Sequence, residues 1–237
     1  MSDRLYFRQW LSGRDLAVGD DLAKDMRNYA YAIGDAETGE AVLVDPAHGP
    51  LDLLALLAAD GMKLVGIIAT HYHADHIGGM LMHSHYVEGI SELLLAQTVP
   101  VHVHAIEAPL VEMGTGVGIP PVVPHQSGDV VMVGSIAVTL LHTPGHTPGS
   151  QCLLVEGKLL TGDTLFLKGC GNTGRGNCVP KDLYESLLIR LRDVADDVEV
   201  FPGHKYALKA SASMGEVRAT NQALANLPYE EWLPLNS

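Results

Sequence analysis

Four residues of metal-binding type stand within six positions of one another, directly after an apolar stretch. They are His71, His73, Asp75 and His76, in the sequence Thr-His-Tyr-His-Ala-Asp-His-Ile-Gly-Gly that begins at Thr70. In a tight loop that leads into a helix, the first two can point to one side and the last two to the other. Imidazole and carboxylate ligands suit zinc, iron and manganese. The motif therefore predicts two adjacent positions for metal ions.

Three later residues of the same types follow short strand-like segments. His146 follows a Thr-Pro-Gly turn, Asp163 follows Thr-Gly, and His204 follows Pro-Gly. A His or Asp at the end of a strand is by itself usually a capping or surface residue. The four clusters in this order, on one chain of this length, predict one composite metal site.

The segments between these clusters alternate between strand-like and helix-like patterns. Each ligand cluster follows the end of a predicted strand, where loops carry chemistry on a rigid scaffold. Strands are predicted over 29–34, 40–44, 63–70, 99–105, 130–133, 136–141, 151–155, 159–162 and 198–201. Helices are predicted over 51–60, 90–96 and 182–194, the last with Leu183, Leu187, Leu188 and Leu191 on one stripe. Such a chain packs as sheets between layers of helices.

The motifs as a set resemble those of the metallo-β-lactamase superfamily from about Tyr29 to His204. They are His-x-His-x-Asp-His, His-Thr-Pro-Gly-His-Thr, Gly-Asp-Thr-Leu-Phe and Pro-Gly-His. Segments 161–166 and 169–171 are similar to the glyoxalase II and persulfide dioxygenase branch. The resemblance implies an α/β fold, a four-layer αβ/βα sandwich with its site at one edge. Residues 1–237 are expected to form a single domain, with an insertion at 80–98 near the mouth of the site.

The resemblance also implies which residue would hold which ion. One metal would be held by His71, His73 and His146, the second by Asp75, His76 and His204, and Asp163 would bridge the two. Two cations about 3.5–4 Å apart can share a hydroxide that attacks a carbonyl carbon. Asp75 is expected to orient that nucleophile and to carry its proton, which makes it the candidate catalytic residue. The expected cofactors are two divalent ions, zinc first, with iron or manganese as alternatives.

Several activities are compatible with this ligand set. The main prediction is a metallo-hydrolase that acts on an ester, thioester or lactone. Persulfide dioxygenases resemble this chain in length and use one iron held by the counterparts of His71, His146 and Asp163, so that activity stays open. A β-lactam hydrolase and a non-catalytic metal-binding domain are also compatible with these residues.

Two features bear on the substrate. Where related enzymes read Gly-Cys-Gly-Arg-Thr-Asp, residues 169–174 read Gly-Cys-Gly-Asn-Thr-Gly, with Arg175 as one candidate replacement for the lost cation. Only residues 205–237 follow His204, fewer than the separate helical domain of glyoxalase II would need. Both features predict better catalysis on a small neutral ester or lactone than on a glutathione thioester.

Composition limits the classes of binding partner and the cellular compartment that we expect for this protein. The net charge of −13 disfavours nucleic acid as a partner. No apolar run reaches the roughly 18 residues of a membrane span, and the N-terminus lacks a secretory pattern. We therefore expect a small-molecule substrate, no membrane association and a cytoplasmic protein, and the oligomeric state stays open. Three cysteines without a Cys-x-x-Cys pair argue against a disulfide framework or a cysteine-based zinc site.

The remaining histidines are predicted to lie outside the set of metal ligands. His102 and His104 alternate with valines in a strand, which indicates packing or solvent-facing roles. His142 is expected to be structural or to support a ligand. Surface or interface positions are predicted for His83 and His85, and ordinary loop positions for His48 and His125.

Overall fold

Short apolar segments of the sequence form strands, most of them close to the predicted bounds. The structure is a computed structural model that describes residues 4–81, 84–115, 122–172, 174 and 177–236. Within these residues the strands are β1 (Leu5–Leu11), β2 (Tyr29–Asp35), β3 (Glu40–Val44), β4 (Lys63–Ile68), β5 (Gly79–Leu81), β6 (His85–Val87), β7 (Val101–His104), β8 (Val122–His125), β9 (Val130–Val133), β10 (Ile136–His142), β11 (Gln151–Val155), β12 (Lys158–Gly162), β13 (Glu199–Pro202) and β14 (Ala212–Ser213).

The helices lie between strands or after the last one, and several begin at residues that suit a first turn. They are α1 (Asp21–Met26), α2 (Pro50–Ala59), α3 (Ala74–Ile77), α4 (Ile90–Ala96), α5 (Ala108–Thr115), α6 (Pro180–Glu185), α7 (Met214–Thr220) and α8 (Tyr229–Asn236). The Asp20 side chain caps α1 by accepting from the backbone N–H groups of Leu22 and Ala23. Helices α2 and α6 begin at proline, which has no N–H to leave unsatisfied there.

The strands pair into two six-stranded sheets and one small hairpin. The order is β1-β2-β3-β4-β7-β8 in the first sheet and β14-β13-β12-β11-β10-β9 in the second, and β5 pairs with β6. Strands β3, β4, β7 and β8 run parallel to one another, as do β12 and β13. The loops after parallel strands therefore gather at one edge of each sheet.

Three apolar cores set the order of the layers. The middle core lies between the two sheets and joins Ile33 and Val42 of the first to Val138 and Leu153 of the second. One outer core packs α2, α4 and α5 on the first sheet, and the other packs α6, α7 and α8 on the second. Helix, sheet, sheet and helix follow one another, which confirms the predicted αβ/βα sandwich.

The helix predicted over 182–194 differs from the observed one at both ends. It begins at Pro180, where proline suits the first turn, and it ends at Arg190. Its last turn is π-helical because the Leu191 N–H donates to the carbonyl of Ser186, five residues back, at 3.0 Å. The predicted stripe is correct, with buried Leu183, Leu187 and Leu191 and half-buried Leu188.

Segment 80–98, predicted as an insertion, contributes to one outer core and to the wall of the cavity over the candidate site. Ile90 and Leu93 of α4 are fully buried in the outer core beside α2. Met80 and Leu81 of β5 line the cavity over the candidate site. No helix in the described ranges is both long and apolar enough to cross a membrane.

Candidate metal centre

The ligand candidates lie together at one edge of the sandwich, each in or beside a loop that follows a strand. His71 and His73 follow β4, Asp75 and His76 belong to α3, His146 follows β10, Asp163 follows β12, and His204 follows β13. Strands from both sheets thus supply the site, and the rigid middle core fixes their relative positions.

Gly145 shapes the turn that presents His146. Its φ is +136°, and a Cβ there would lie 2.2 Å from the backbone nitrogen of Leu183. Only glycine fits so close to another backbone. Buried Glu107 holds the far side of the turn, since its carboxylate accepts from the Thr147 hydroxyl at 2.8 Å. Glu107 was not among the residues predicted for the site, because no motif in its own segment points to this role.

The first set of side chains, here called the imidazole trio, consists of His71, His73 and His146. The Nδ1 atom of His73 lies 3.1 Å from His71 Nε2 and 3.0 Å from His146 Nε2. On the far side of the rings, His71 Nδ1 is 3.0 Å from the Thr70 hydroxyl, and His146 Nδ1 is 3.3 Å from the carbonyl oxygen of Asn172. These outer contacts fix the orientation of two of the three rings.

The second set, here called the mixed trio, consists of Asp75, His76 and His204. The Nε2 atoms of His76 and His204 are 3.3 Å apart. Asp75 Oδ2 lies 3.6 Å from the first of these nitrogens and 3.4 Å from the second. All three side chains are buried.

Asp163 lies between the two trios and contacts both. Its Oδ2 is 3.5 Å from His146 Nε2 and 3.4 Å from His204 Nε2, and its Oδ1 is 3.3 Å from His76 Nε2. Oδ1 is buried and has no hydrogen-bond partner among the described residues. A buried carboxylate oxygen without a partner is costly, unless a cation occupies its open side.

The separations of the donor atoms suit metal ions. A tetrahedral zinc with ligands at about 2.0–2.1 Å holds neighbouring ligand atoms about 3.3–3.4 Å apart. The measured separations within and between the trios run from 3.0 to 3.6 Å. Each trio also forms a compact group of ligand atoms that lie within 4.8 Å of one another. The residues present therefore fit a divalent cation at each trio, with Asp163 in contact with both positions.

Burial keeps two rings of the imidazole trio, His71 and His73, neutral. It lowers the pKa of His71 well below its ordinary value, and the neighbouring imidazoles lower it further. Burial and the nearby ring of His146 lower the pKa of His73 to about 4. Neutral imidazole is the form that binds a metal ion.

The mixed trio has the opposite electrostatics. Burial alone would lower the pKa of His76, but the carboxylates of Asp163 and Asp75 outweigh it and raise that pKa to about 10. His204 behaves alike, and its pKa is raised well above the ordinary value, mainly by Asp163. Burial would raise the pKa of Asp75 and Asp163, yet the adjacent imidazoles lower both. Without a cation, His76 and His204 are therefore protonated, and their positive charge keeps the carboxylates of Asp75 and Asp163 ionised.

Two residues outside the predicted set hold the mixed trio in place. Asp45 Oδ2 lies 2.9 Å from His76 Nδ1 and accepts from the Thr70 hydroxyl at 2.6 Å. The Asn28 amide donates to Asp75 Oδ2 at 3.1 Å. Asp45 follows β3 directly. A carboxylate immediately after a buried strand is a pattern from which a role at the site could have been predicted. Asn28 carries no such signal, because only the fold brings it next to α3.

Four of the other histidines contact one another rather than the trios, whereas His48 lies close enough to the mixed trio for the charges of Asp75, His76 and His204 to affect its pKa. His104 stacks on His142 at 3.9 Å between ring centroids, and His142 Nε2 lies 2.9 Å from the carbonyl of Pro148. His102 Nδ1 faces His125 Nε2 at 2.9 Å. His85 is exposed, as predicted. His48 lies in a loop, as predicted, although its side chain is buried, whereas His125 ends strand β8 and is not in a loop. His83 and Arg175 lie outside the described residues.

A cavity of about 490 Å³ opens over the candidate centre. Side chains of both trios and Asp163 form its floor. Apolar side chains form much of its wall, and they include Met26, Tyr72, Met80, Leu81, Leu110 and Met113. A small organic substrate can therefore reach the donor atoms from one side.

Comparisons with known proteins agree with the fold and the site. The Metallo-beta-lactamase superfamily model matches residues 24–204. The hydroxyacylglutathione hydrolase of Anaeromyxobacter dehalogenans (strain 2CP-C) is 39% identical over 180 residues, which cover 76% of this chain and 62% of the hydrolase. The chain thus spans less than two thirds of the length of that relative.

A second relative matches nearly the whole chain. The mitochondrial persulfide dioxygenase ETHE1 of Mus musculus is 31% identical over 241 residues, with 98% of this chain and 85% of the relative covered. The crystal structure of ETHE1 from Myxococcus xanthus is 30% identical with a TM-score of 0.76, and the match covers 97% of this chain and 89% of that one. A family model that spans most of the chain, a matching fold and these relatives agree: the chain belongs to the metallo-β-lactamase superfamily.

Proposed function

We propose that this chain is a metal-dependent hydrolase that cleaves a thioester, ester or lactone with two divalent cations, zinc first among them. The observation that supports this most is the position of Asp163, whose two oxygens face both trios at the floor of the cavity. The hydroxyacylglutathione hydrolase relative acts on a thioester by its name, which places thioesters first among the three substrate classes.

The seven proposed ligands divide as the two trios do. The imidazole trio would hold one cation, the mixed trio the other, and Asp163 would contact both. Such a pair supplies water of lowered pKa and polarises a carbonyl oxygen. The protein contributes the orientation of the ligands through Asp45 and Asn28.

Asp75 is proposed as the catalytic residue of the chain itself. Its carboxylate lines the cavity, and its charged form is stabilised by His76 and His204. The Asn28 amide holds Oδ2, which leaves the other carboxylate oxygen to accept the proton of the attacking water. The apolar wall limits access of other water to the carbonyl group.

A persulfide dioxygenase with a single iron is the second candidate. The observation that favours it is coverage: the match to the mouse dioxygenase spans 98% of this chain, while the match to the hydrolase spans 76%. Both activities would use His71, His146 and Asp163, so they differ in the number and identity of the metal ions and in the need for oxygen.

The deciding experiment measures metal content and activity on one preparation, purified without added metal. We expect about two divalent ions per chain, hydrolysis of a thioester, and loss of that activity on chelation with recovery on adding zinc. The panel also contains a lactone, an ester, a β-lactam and glutathione persulfide with an oxygen electrode. One iron per chain with oxygen uptake on the persulfide, and no hydrolysis, would replace the proposal with the second candidate.

A further inference from the structure

Glu107 carries a fully buried carboxylate in the turn between β7 and α5. The turn fixes its backbone. Its N–H donates to the carbonyl of His104 at 2.8 Å, and its carbonyl accepts from the N–H groups of Leu110 and Val111 at 2.9 and 3.0 Å. The joint between the first sheet and a helix therefore sets the position of this carboxylate.

One oxygen of the carboxylate holds the backbone between two proposed ligands. The Tyr72 N–H donates to Glu107 Oε2 at 2.9 Å. Tyr72 separates His71 from His73 in the chain. This hydrogen bond therefore fixes the loop segment that carries two of the three rings of the imidazole trio.

The other oxygen holds the turn that carries the third ring. Oε1 accepts from the Thr147 hydroxyl at 2.8 Å and from the Gly149 N–H at 2.7 Å, directly after His146. An ionised carboxylate can only accept, so the Thr147 hydroxyl must donate to it. The Ser150 hydroxyl, 2.7 Å from that of Thr147, must then donate to Thr147. The turn thus has one defined set of hydrogen bonds that ends at Glu107.

Gly149 allows the turn to approach the carboxylate this closely. A Cβ at position 149 would lie 2.4 Å from Glu107 Cγ and 2.8 Å from its Oε1. Only a residue without a side chain leaves that space to the glutamate. The sequence of the turn is therefore adapted to the Glu107 side chain.

The buried charge makes the arrangement resist movement. Burial raises the pKa of Glu107, and the hydrogen bonds from Thr147, Gly149 and Tyr72 oppose that rise. A buried carboxylate that loses a donor pays a desolvation penalty that the remaining bonds do not cover. Displacing either ligand loop would leave Glu107 short of a donor, so its charge couples the positions of the two loops.

We propose that Glu107 is a positioning residue: its one carboxylate holds the backbone of all three ligands of the imidazole trio and so sets the affinity of that trio for a cation. In this role it contacts neither the cation nor the substrate. The mixed trio has a carboxylate of its own, because Asp45 contacts His76. The inference rests on the proposed ligand set, and it applies to a hydrolase and to a dioxygenase alike because both would use His71 and His146.

The test is a zinc titration of the metal-free protein, followed by calorimetry, with Glu107→Gln. This variant keeps the shape of the side chain, but its amide nitrogen can only donate, so at least one of the three donors loses its acceptor. We expect about a 10- to 100-fold lower affinity at the imidazole trio and near-normal affinity at the mixed trio. Glu112→Gln makes the same change at an exposed position of α5 and should leave both affinities intact.

Nitrogen NMR of the histidine rings assigns each affinity to its trio, because the resonance of a ring nitrogen shifts when that atom binds zinc. In Glu107→Gln the rings of the imidazole trio should shift only at a higher zinc concentration than in the unsubstituted protein. The rings of the mixed trio should shift at the same concentration as before. Asp45→Asn should give the opposite pattern. A merely structural loss of packing would delay all the rings together.

Thr147→Val covers the case in which Glu107→Gln does not fold. It removes one of the three donors and nearly preserves the volume of the side chain. Since a single hydrogen bond contributes modestly, we expect the affinity of the imidazole trio to fall about three- to tenfold, with the mixed trio unchanged.

The outcomes distinguish this inference from the proposed function. Selective weakening of the imidazole trio, in a protein that binds two zinc ions but hydrolyses no thioester, would support the inference and reject the hydrolase. Unchanged zinc binding in Glu107→Gln and Thr147→Val, or equal weakening of both trios, would overturn the inference while the ligand set stands. Absence of zinc binding to the unsubstituted protein would overturn both.

Discussion

The two halves of the candidate metal centre have the same number of ligands but opposite electrostatics. In the imidazole trio, His71 and His73 are neutral because burial lowers their pKa. The mixed trio holds protons on His76 and His204, because Asp75 and Asp163 raise their pKa. His71 and His73 are therefore in their metal-binding form at neutral pH, whereas His76 and His204 must lose protons to bind a metal ion.

The two halves also differ in the hydrogen-bonding groups that support their ligands from outside the centre. The imidazole trio is supported by a hydroxyl and a carbonyl, at 3.0 and 3.3 Å from its rings. The mixed trio is supported by Asp45 at 2.9 Å, by the Asn28 amide, and by the carbonyl of Met26, which accepts from His204 Nδ1 at 2.8 Å. We infer that the imidazole trio fills first, and that the second position depends more on pH and on its supporting residues.

Asp163→Ala should have the largest effect, because it removes the only proposed ligand that contacts both halves. We expect activity to fall by more than about a hundredfold and metal content to drop below two ions per chain. Elemental analysis and thioester turnover measure this, with exposed Asp197→Ala as the control for loss of an acidic residue. Two ions per chain and near-normal turnover in the variant would show that Asp163 does not bridge.

Asp45→Asn should affect the mixed trio more than the imidazole trio, because Asp45 contacts His76 directly but reaches His71 only through the Thr70 hydroxyl. The amide cannot accept in the same way at both oxygens, so His76 loses its fixed orientation, and we expect a 10- to 100-fold lower affinity for the second metal ion. A zinc titration of the metal-free protein should then show one tight site of near-normal affinity and one weakened site. Asp129→Asn is a matched control, since its Oδ2 contacts His125 Nδ1 at 3.3 Å away from the centre. Equal weakening of both sites would mean that the two halves are not independent.

The sequence was sufficient to predict the strand-end positions of the ligands. The apolar run before His71 and the Gly-Asp and Gly-His pairs at 162–163 and 203–204 mark places where a buried strand ends, and such signals are local. The proximity of Asn28 to Asp75 is not local, because it depends on the β-bridge between residues 28 and 204. The same bridge places Arg27 beside Lys205, a proximity that could not be predicted either.

Helix ends were predicted less well than helix faces for a similar reason. The burial of Leu183, Leu187 and Leu191 follows from the spacing of apolar residues. The π-helical turn that ends this helix depends on a single backbone bond, from the Leu191 N–H to the Ser186 carbonyl, which spacing does not encode. Apolar periodicity thus specifies which side is buried but not where the hydrogen-bond pattern changes.

Metal binding at the mixed trio should release protons from His76 and His204, whereas His71 and His73, which are already neutral, should release none. At pH 8, which is below the pKa of about 10 for His76, we expect about two protons released per chain as the second position fills. Calorimetry of zinc binding in buffers of different ionisation enthalpy counts them. The affinity of the mixed trio should rise as pH increases toward 10, while protonation of His73 should weaken binding at the imidazole trio near pH 4. Equal proton release at both positions would show that the two trios do not differ in protonation.

The same shifts predict how the metal-free protein responds to pH. The raised pKa of His76 means that its proton favours the folded state below the ordinary value of 6.5, and this stabilisation is lost as pH rises toward about 10. The melting temperature of the metal-free protein should therefore decrease over that interval. Saturating zinc should remove this decrease, because the cation replaces the proton as the partner of the carboxylates.

His102→Ala and His104→Ala should have the smallest effect and define the limits of the centre. Burial lowers the pKa of both rings to about 4, as it does for His73, so neutrality alone does not distinguish them from ligands. Their positions distinguish them from ligands, because His102 faces His125 and His104 stacks on His142. Metal content should stay the same in both variants, and any loss of stability should come from ring packing, about 0.5–1.5 kcal/mol for the stacked pair. Loss of an ion from either variant, measured by elemental analysis, would mean that a ligand lies outside the two trios and Asp163.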